Sequence, residues 1–159
     1  MKLFILKRFP EVKTSDLIKK CFKKAFKTKC EVIYKKSGKP FLNKDIFVGV
    51  THTDELVLIA FNKFNFGIDA EIKGRKIKNK EKILDKFFSE NEKQENFLEI
   101  WVKKEALIKF YELALKDMKS VDTSRTKGNF TKIEYMDHLI YIYSETEITQ
   151  ICIDDEEIL

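Results

Sequence analysis

The chain has 159 residues, enough for one core-bearing domain, and combines 43% hydrophobic with 36% charged residues, a globular composition with a heavily charged surface. Its net charge of +5 is unevenly spread: residues 1–37 hold 12 Lys/Arg against Glu11, Asp16 and Glu31, whereas residues 145–159 hold six acids and no base. Cys21, Cys30 and Cys152 are far apart and form no CxxC, which argues against a disulfide scaffold and a cysteine zinc site, and the apolar run at Met1–Arg8 is shorter than a signal peptide needs, so none is expected there.

Lys2–Arg8 reads as a strand. Thr14, Ser15 or Asp16 caps a helix to about Lys27, with Leu17, Ile18, Cys21, Phe22, Ala25 and Phe26 at helical spacing and lysines mostly on the other side. Val32–Tyr34 is a strand and Ser37-Gly38-Lys39-Pro40 a turn. Phe47–Val50 and Leu56–Phe61 are strands joined by Thr51–Glu55, and Phe64–Ile72 is another strand. Ile77–Phe88 is helical, and Ser89…Glu92 has capping-box spacing, so a further helix starts there. A long helix runs from roughly Phe97 to Lys116. Phe130–Tyr135 and Leu139–Ser144 make a hairpin turning at Met136–His138, and Ile148–Ile153 is the last strand. Strands and helices mix without βαβ regularity, so the expected class is α+β, with no linker at which to cut the chain. No stretch reaches transmembrane length.

Four places could carry chemistry. In Phe66–Ile72 the alternation of a strand sends Phe66, Ile68, Ala70 and Ile72 to the core, while Asp69 and Glu71 share the other face, close enough to grip one cation. Taken alone, an ordinary half-exposed strand with its acids outward is the better explanation of the pattern. On the long helix Phe97, Trp101, Ile108, Tyr111 and Leu115 form an apolar stripe that contains Lys104, out of place there without a partner. Glu105 and Lys109 flank the stripe one turn apart, and their plain reading is a surface ion pair worth a few tenths of a kcal/mol. Thr51-His52-Thr53 ends a strand with an imidazole beside two hydroxyls, suited to a phosphate but equally to a structural role. Gly38-Lys39-Pro40 is a turn carrying a cation.

Their order is more telling. Gly38-Lys39-Pro40-Phe41-Leu42, Thr51-His52-Thr53, Gly67-Ile68-Asp69-Ala70-Glu71, Phe88-Ser89 with Glu92, and Trp101-x-x-Lys104-Glu105-Ala106-x-x-Lys109 together resemble the motif series of the Sfp-type 4′-phosphopantetheinyl transferases. The resemblance implies a fold of two similar α+β halves in one chain, about 1–63 and 64–159. It implies Asp69, Glu71 and Glu105 as ligands of Mg²⁺ against the pyrophosphate of coenzyme A. Gly38, Lys39 and Pro40 would lie along its 3′-phosphate end, with Thr51 and His52 on the phosphates. Lys109 would reach a phosphate or help deprotonate the incoming serine, with Lys104 in support, the base being Glu105, Lys109 or a metal-bound water. The implied reaction moves phosphopantetheine to a carrier-protein serine and releases 3′,5′-ADP. The expected partner is an apo acyl or peptidyl carrier protein. Neither nucleic acid nor membrane is expected as a partner, and the chain is expected to be a cytoplasmic monomer, with a dimer as the alternative.

Three departures stand out, the first being that the region before Gly38 is short for this type, with Lys13, Lys19 or Lys23 as substitutes for its usual basic coenzyme A contacts. Thr51 replaces the family's usual serine, and the G-x-G-L after the last lysine is absent: Lys109 is followed by Phe110-Tyr111-Glu112-Leu113-Ala114-Leu115, so the helix is expected to continue where the family turns. The competing readings are a non-catalytic relative that binds coenzyme A or a carrier protein, and a nucleic-acid module built on the basic front. The second lacks aromatics interleaved with the lysines.

Overall fold

A computed structural model describes residues 1–155. In chain order the elements are β1 (Lys2–Lys7), α1 (Thr14–Phe26), β2 (Val32–Tyr34), β3 (Pro40–Leu42), β4 (Phe47–His52), β5 (Leu56–Asn62) and β6 (Gly67–Ile72). They continue with α2 (Lys80–Phe87), α3 (Phe97–Phe110), β7 (Asn129–Tyr135), β8 (His138–Ser144) and β9 (Cys152–Asp154). Single 3₁₀ segments lie at Glu92–Gln94 and Leu115–Ser120. The class is α+β. The chain forms two compact units, Met1–Asn65 joined by the segment from Ile148, and Phe66–Glu147.

The first unit is a four-stranded sheet in the order β4-β5-β1-β9, with β9 parallel to β1 and the other pairs antiparallel. Helix α1 buries Leu17, Ile18, Cys21 and Phe22 against Phe4, Leu6, Val57, Ile59 and Phe61. Phe61 is met edge-on by Phe4, Phe22 and Phe26, the favoured geometry for aromatic rings. The N-cap is Lys13, not one of the three hydroxyl or carboxylate residues after it, and it makes no side-chain cap bond. Packing of the apolar stripe therefore decides where the helix starts. The predicted last strand, Ile148–Ile153, is reduced to β9. A separate two-stranded sheet pairs β2 with β3.

The second unit is an antiparallel sheet in the order β6-β8-β7, with every residue of β8 buried. Helix α3 lies against β6 and β8. The narrow stripe expected on α3 is not what the fold uses. Ile100, Val102, Ala106 and Leu107 are buried along with Phe97, Lys104 and Ile108, because the sheet covers one side and Met118 and Val121 cover another. Tyr111 and Leu115, expected in the stripe, are exposed.

Helix α3 ends at Phe110 and does not continue to Lys116. The Leu113 amide donates to the Ile108 carbonyl at 2.8 Å, and Glu112 has φ +56°, the left-handed residue of a Schellman ending. The turn survives without the glycine that usually supplies it. The Ser89–Glu92 capping box also forms, the Glu92 carboxylate accepting from the Ser89 amide at 2.8 Å, but it opens a 3₁₀ turn and not a full helix.

Candidate functional site

The site is built where β6 meets α3. Gly67 opens β6, and a Cβ there would come within 1.9 Å of the Ala106 carbonyl oxygen and 2.8 Å of the Phe110 nitrogen. The helix backbone thus rests on the strand at a distance only glycine allows. Strand alternation places Asp69 and Glu71 on the face that carries Gly67, so the two acids lie toward α3. The sequence reading left that face half-exposed; in the fold Asp69 is 3% exposed. Asn96 fixes the start of α3 by accepting from the Leu98 and Glu99 amides at 3.0 and 3.2 Å. One turn apart on that helix, Glu105 and Lys109 come down beside the acids.

Lys109 donates to Asp69 Oδ1 at 2.6 Å, so its partner is the strand acid and not Glu105. Arg75, four residues beyond Glu71, forms an ion pair with it. Burial pushes the Glu105 carboxyl up to about 7, the Asp69 and Glu71 charges push the same way, and Lys109 and Arg75 oppose them. Buried Asp69 and half-buried Glu71 and Glu105 are therefore close enough to feel one another's charge, with Lys109 and Arg75 as nearby cations. The fold thus brings together Asp69, Glu71, Glu105 and Lys109. Such a donor set, oxygen-only and too negative for its own burial, fits a hard divalent cation.

Lys104 lies elsewhere. It is 1% exposed, and its ammonium donates to both oxygens of Glu92, at 3.1 and 2.9 Å, and to the Val121 carbonyl. Glu92 is fully buried and also accepts from the Thr123 amide at 2.8 Å and hydroxyl at 3.0 Å. Burial alone raises the Glu92 carboxyl, but the Lys104 ammonium and the Ser89 and Thr123 amides reverse this and hold it below the usual carboxylate range. The network ties α3 to the 89–94 turn and to residues 121–123. The missing partner of Lys104 is thus Glu92, which the sequence marks as a capping residue and as part of the motif series but not as the partner of Lys104. Arg75 was missed altogether, since nothing in the spacing marks it beyond lying four residues after Glu71.

A cavity of about 340 Å³ opens beside Glu71 and Arg75, walled by Ile77, Ile83, Phe97 and Trp101.

The remaining predicted residues belong to the first unit. Gly38 takes φ +84° in the β2–β3 turn, Lys39 donates to Asn65 Oδ1 at 3.1 Å, and Pro40 opens β3 opposite Tyr34. Thr51 is buried and His52 exposed, as alternation along β4 requires. The Thr53 hydroxyl accepts from the Glu55 and Leu56 amides at 3.3 and 3.1 Å, so it shapes the turn after β4.

Residues 65–155 match the model of the 4′-phosphopantetheinyl transferase superfamily. The chain is also similar to a 4′-phosphopantetheinyl transferase gsp of Aneurinibacillus migulanus, 36% identical over an alignment of 91 residues that covers 49% of this chain and 37% of that relative. The matched stretch thus spans well under half of the relative's length. The family match contains Asp69, Glu71, Glu92, Lys104, Glu105 and Lys109, whereas Gly38–Pro40, Thr51 and His52 lie outside it. By the motifs, the convergence of the three acids with Lys109, and this match over more than half its length, the chain belongs to the 4′-phosphopantetheinyl transferase superfamily.

Proposed function

We propose that this protein transfers 4′-phosphopantetheine from coenzyme A to a serine of an acyl or peptidyl carrier protein, with Mg²⁺, releasing 3′,5′-ADP. The observation that carries the reading is the convergence of buried Asp69 with half-buried Glu71 and Glu105 beside Lys109, within the stretch that matches the family. Asp69, Glu71 and Glu105 would hold Mg²⁺. When bound, the ion would supply positive charge to the pyrophosphate of coenzyme A. Lys109 adds a second positive charge next to Asp69 and turns toward the phosphates. The serine oxygen forms a bond to the β-phosphorus, the bond from that phosphorus to the 3′,5′-ADP oxygen breaks, and the serine proton is taken up by Glu105 or by Lys109. Charge neutralisation and positioning supply most of the rate, as in other phosphoryl-type transfers.

Lys104 acts by holding α3, and with it Glu105 and Lys109, in register through Glu92. The cavity beside Glu71 suits the pantetheine chain, with apolar walls for its methyl and methylene groups. Gly38, Lys39, Pro40, Thr51 and His52 serve the nucleotide end. The turn after Phe110 closes without the family's glycines, which supports the catalytic reading over a non-catalytic relative that binds coenzyme A or a carrier protein.

The test is the intact mass of an apo carrier protein after incubation with this protein, coenzyme A and Mg²⁺. The expected result is a phosphopantetheine mass gain that EDTA blocks. Binding of coenzyme A with no gain on any carrier class would instead identify a binding relative.

A further inference from the structure

The β2–β3 sheet presents an apolar face to solvent that the fold does not use. Val32 and Leu42, paired across the strands, pack into the core of the first unit. Alternation turns the next pair, Ile33 and Phe41, the other way, and they remain 44% and 39% exposed. Tyr34, at the end of β2, is half exposed. Three of the six residues in this small sheet are therefore large, apolar and open to water. A lone two-stranded sheet gains stability from every apolar side chain it can bury, so an open cross-strand pair is a cost in the free protein.

The charge on the neighbouring stretch of chain is mainly positive, with Asp45 following its end. Residues 27–44 carry six lysines against Glu31 alone. Of these, Lys29, Lys35, Lys36 and Lys44 are exposed. An apolar pair inside a lysine collar complements a surface that offers one or two apolar side chains inside a ring of carboxylates. We propose that the Ile33–Phe41 face is the docking surface for an acidic protein, and that this protein is the carrier acceptor, an identification that rests on the transfer reading above. Phe41 and Tyr34 could stack bases but the aliphatic Ile33 paired with Phe41 could not, so the patch favours a protein with an apolar spot, and nucleic acid is an outcome of the test.

The test uses the full chain and, as probe, an acidic apo acyl carrier protein. Two surface variants remove the two halves of the complementarity, I33S/F41S and K35E/K36E. Each is expected to raise the carrier KM about tenfold while kcat and the KM for coenzyme A stay at the parent values. The K35E/K36E effect shrinks at high salt and the I33S/F41S effect does not. Unchanged carrier KM in both variants overturns the docking surface and leaves the transfer reading intact. If the parent protein transfers nothing, the transfer reading fails, and docking is read directly from fluorescence anisotropy of the labelled carrier. Binding that both variants weaken supports the surface, and no binding by the parent overturns it. Parallel titrations with single-stranded DNA and with anionic phospholipid vesicles guard the choice of partner. Variant-sensitive binding to either one, with carrier binding unaffected, overturns it.

Discussion

At the scale of single residues, Glu92 and Lys104 show how a buried charge is tolerated. Each is expensive to bury alone, and each is satisfied by the other and by nearby backbone groups, with the Thr123 hydroxyl as a further donor to Glu92. Glu92→Ala leaves the Lys104 ammonium without its carboxylate and is expected to cost about 3–5 kcal/mol in urea unfolding. The double change E92Q/K104M, which removes both charges and keeps an acceptor for the Ser89 and Thr123 amides, is expected to cost less than that single change. Glu105 is the opposite case, a carboxyl raised to about 7 from an ordinary 4.5. Between those values the folded metal-free protein holds more protons than the unfolded chain, so its stability falls as pH rises from about 4.5 to about 7, then levels. Unfolding measured in EDTA across that range is expected to show this slope, and Glu105→Gln to lose it. A slope unchanged in the variant would remove Glu105 as its source.

At the scale of elements, the contact of β6 with α3 depends on Gly67. Gly67→Ala drives a methyl into the Ala106 carbonyl and must separate strand and helix. The expected outcome is a loss of roughly 2–4 kcal/mol together with loss of transfer, checked by denaturation and by carrier mass. A fully active, fully stable variant would contradict the close approach. Conversely, Glu112 occupies a left-handed position at the end of α3. Glu112→Gly relieves the side-chain clash of that conformation, and after the extra chain entropy of glycine it is expected to stabilise the protein by about 0.5–1 kcal/mol. A lower melting temperature would show that the Glu112 side chain holds the turn by its own contacts. The same position explains why the end of α3 could not be read in advance. Phe110-Tyr111-Glu112-Leu113-Ala114-Leu115 has neither glycine nor proline and continues a helical pattern, and the ending is imposed by the Ile108 carbonyl and the Leu113 amide closing the Schellman turn.

At the scale of the whole molecule, the proposed chemistry predicts a linkage between metal and stability. Mg²⁺ at about 100 times its dissociation constant is expected to stabilise the parent by about 2.7 kcal/mol, and not to stabilise Asp69→Ala. A thermal-shift titration checks this, and the same variant is expected to lose about three orders of magnitude or more in transfer rate. An equal thermal shift in both proteins would remove Asp69 from the metal site. Among the described residues no helix is long and apolar enough to cross a membrane.

The sequence by itself determined the period-2 and period-3.6 apolar patterns, and with them the α+β class and nearly every element. It also determined the spacing Asp69-x-Glu71 and Glu105-x-x-x-Lys109, because residues on one strand or one helix are placed relative to each other by local geometry alone. Only the tertiary structure decided what lies opposite them. It set Lys109 on Asp69 and not on Glu105, matched Lys104 to Glu92 twelve residues away, buried the acid-bearing face of β6 under α3, and brought Arg75 onto Glu71. Those outcomes depend on packing between elements. A buried charge takes its partner from whichever group the packed backbone brings within hydrogen-bonding distance, and no periodicity within one segment encodes that distance.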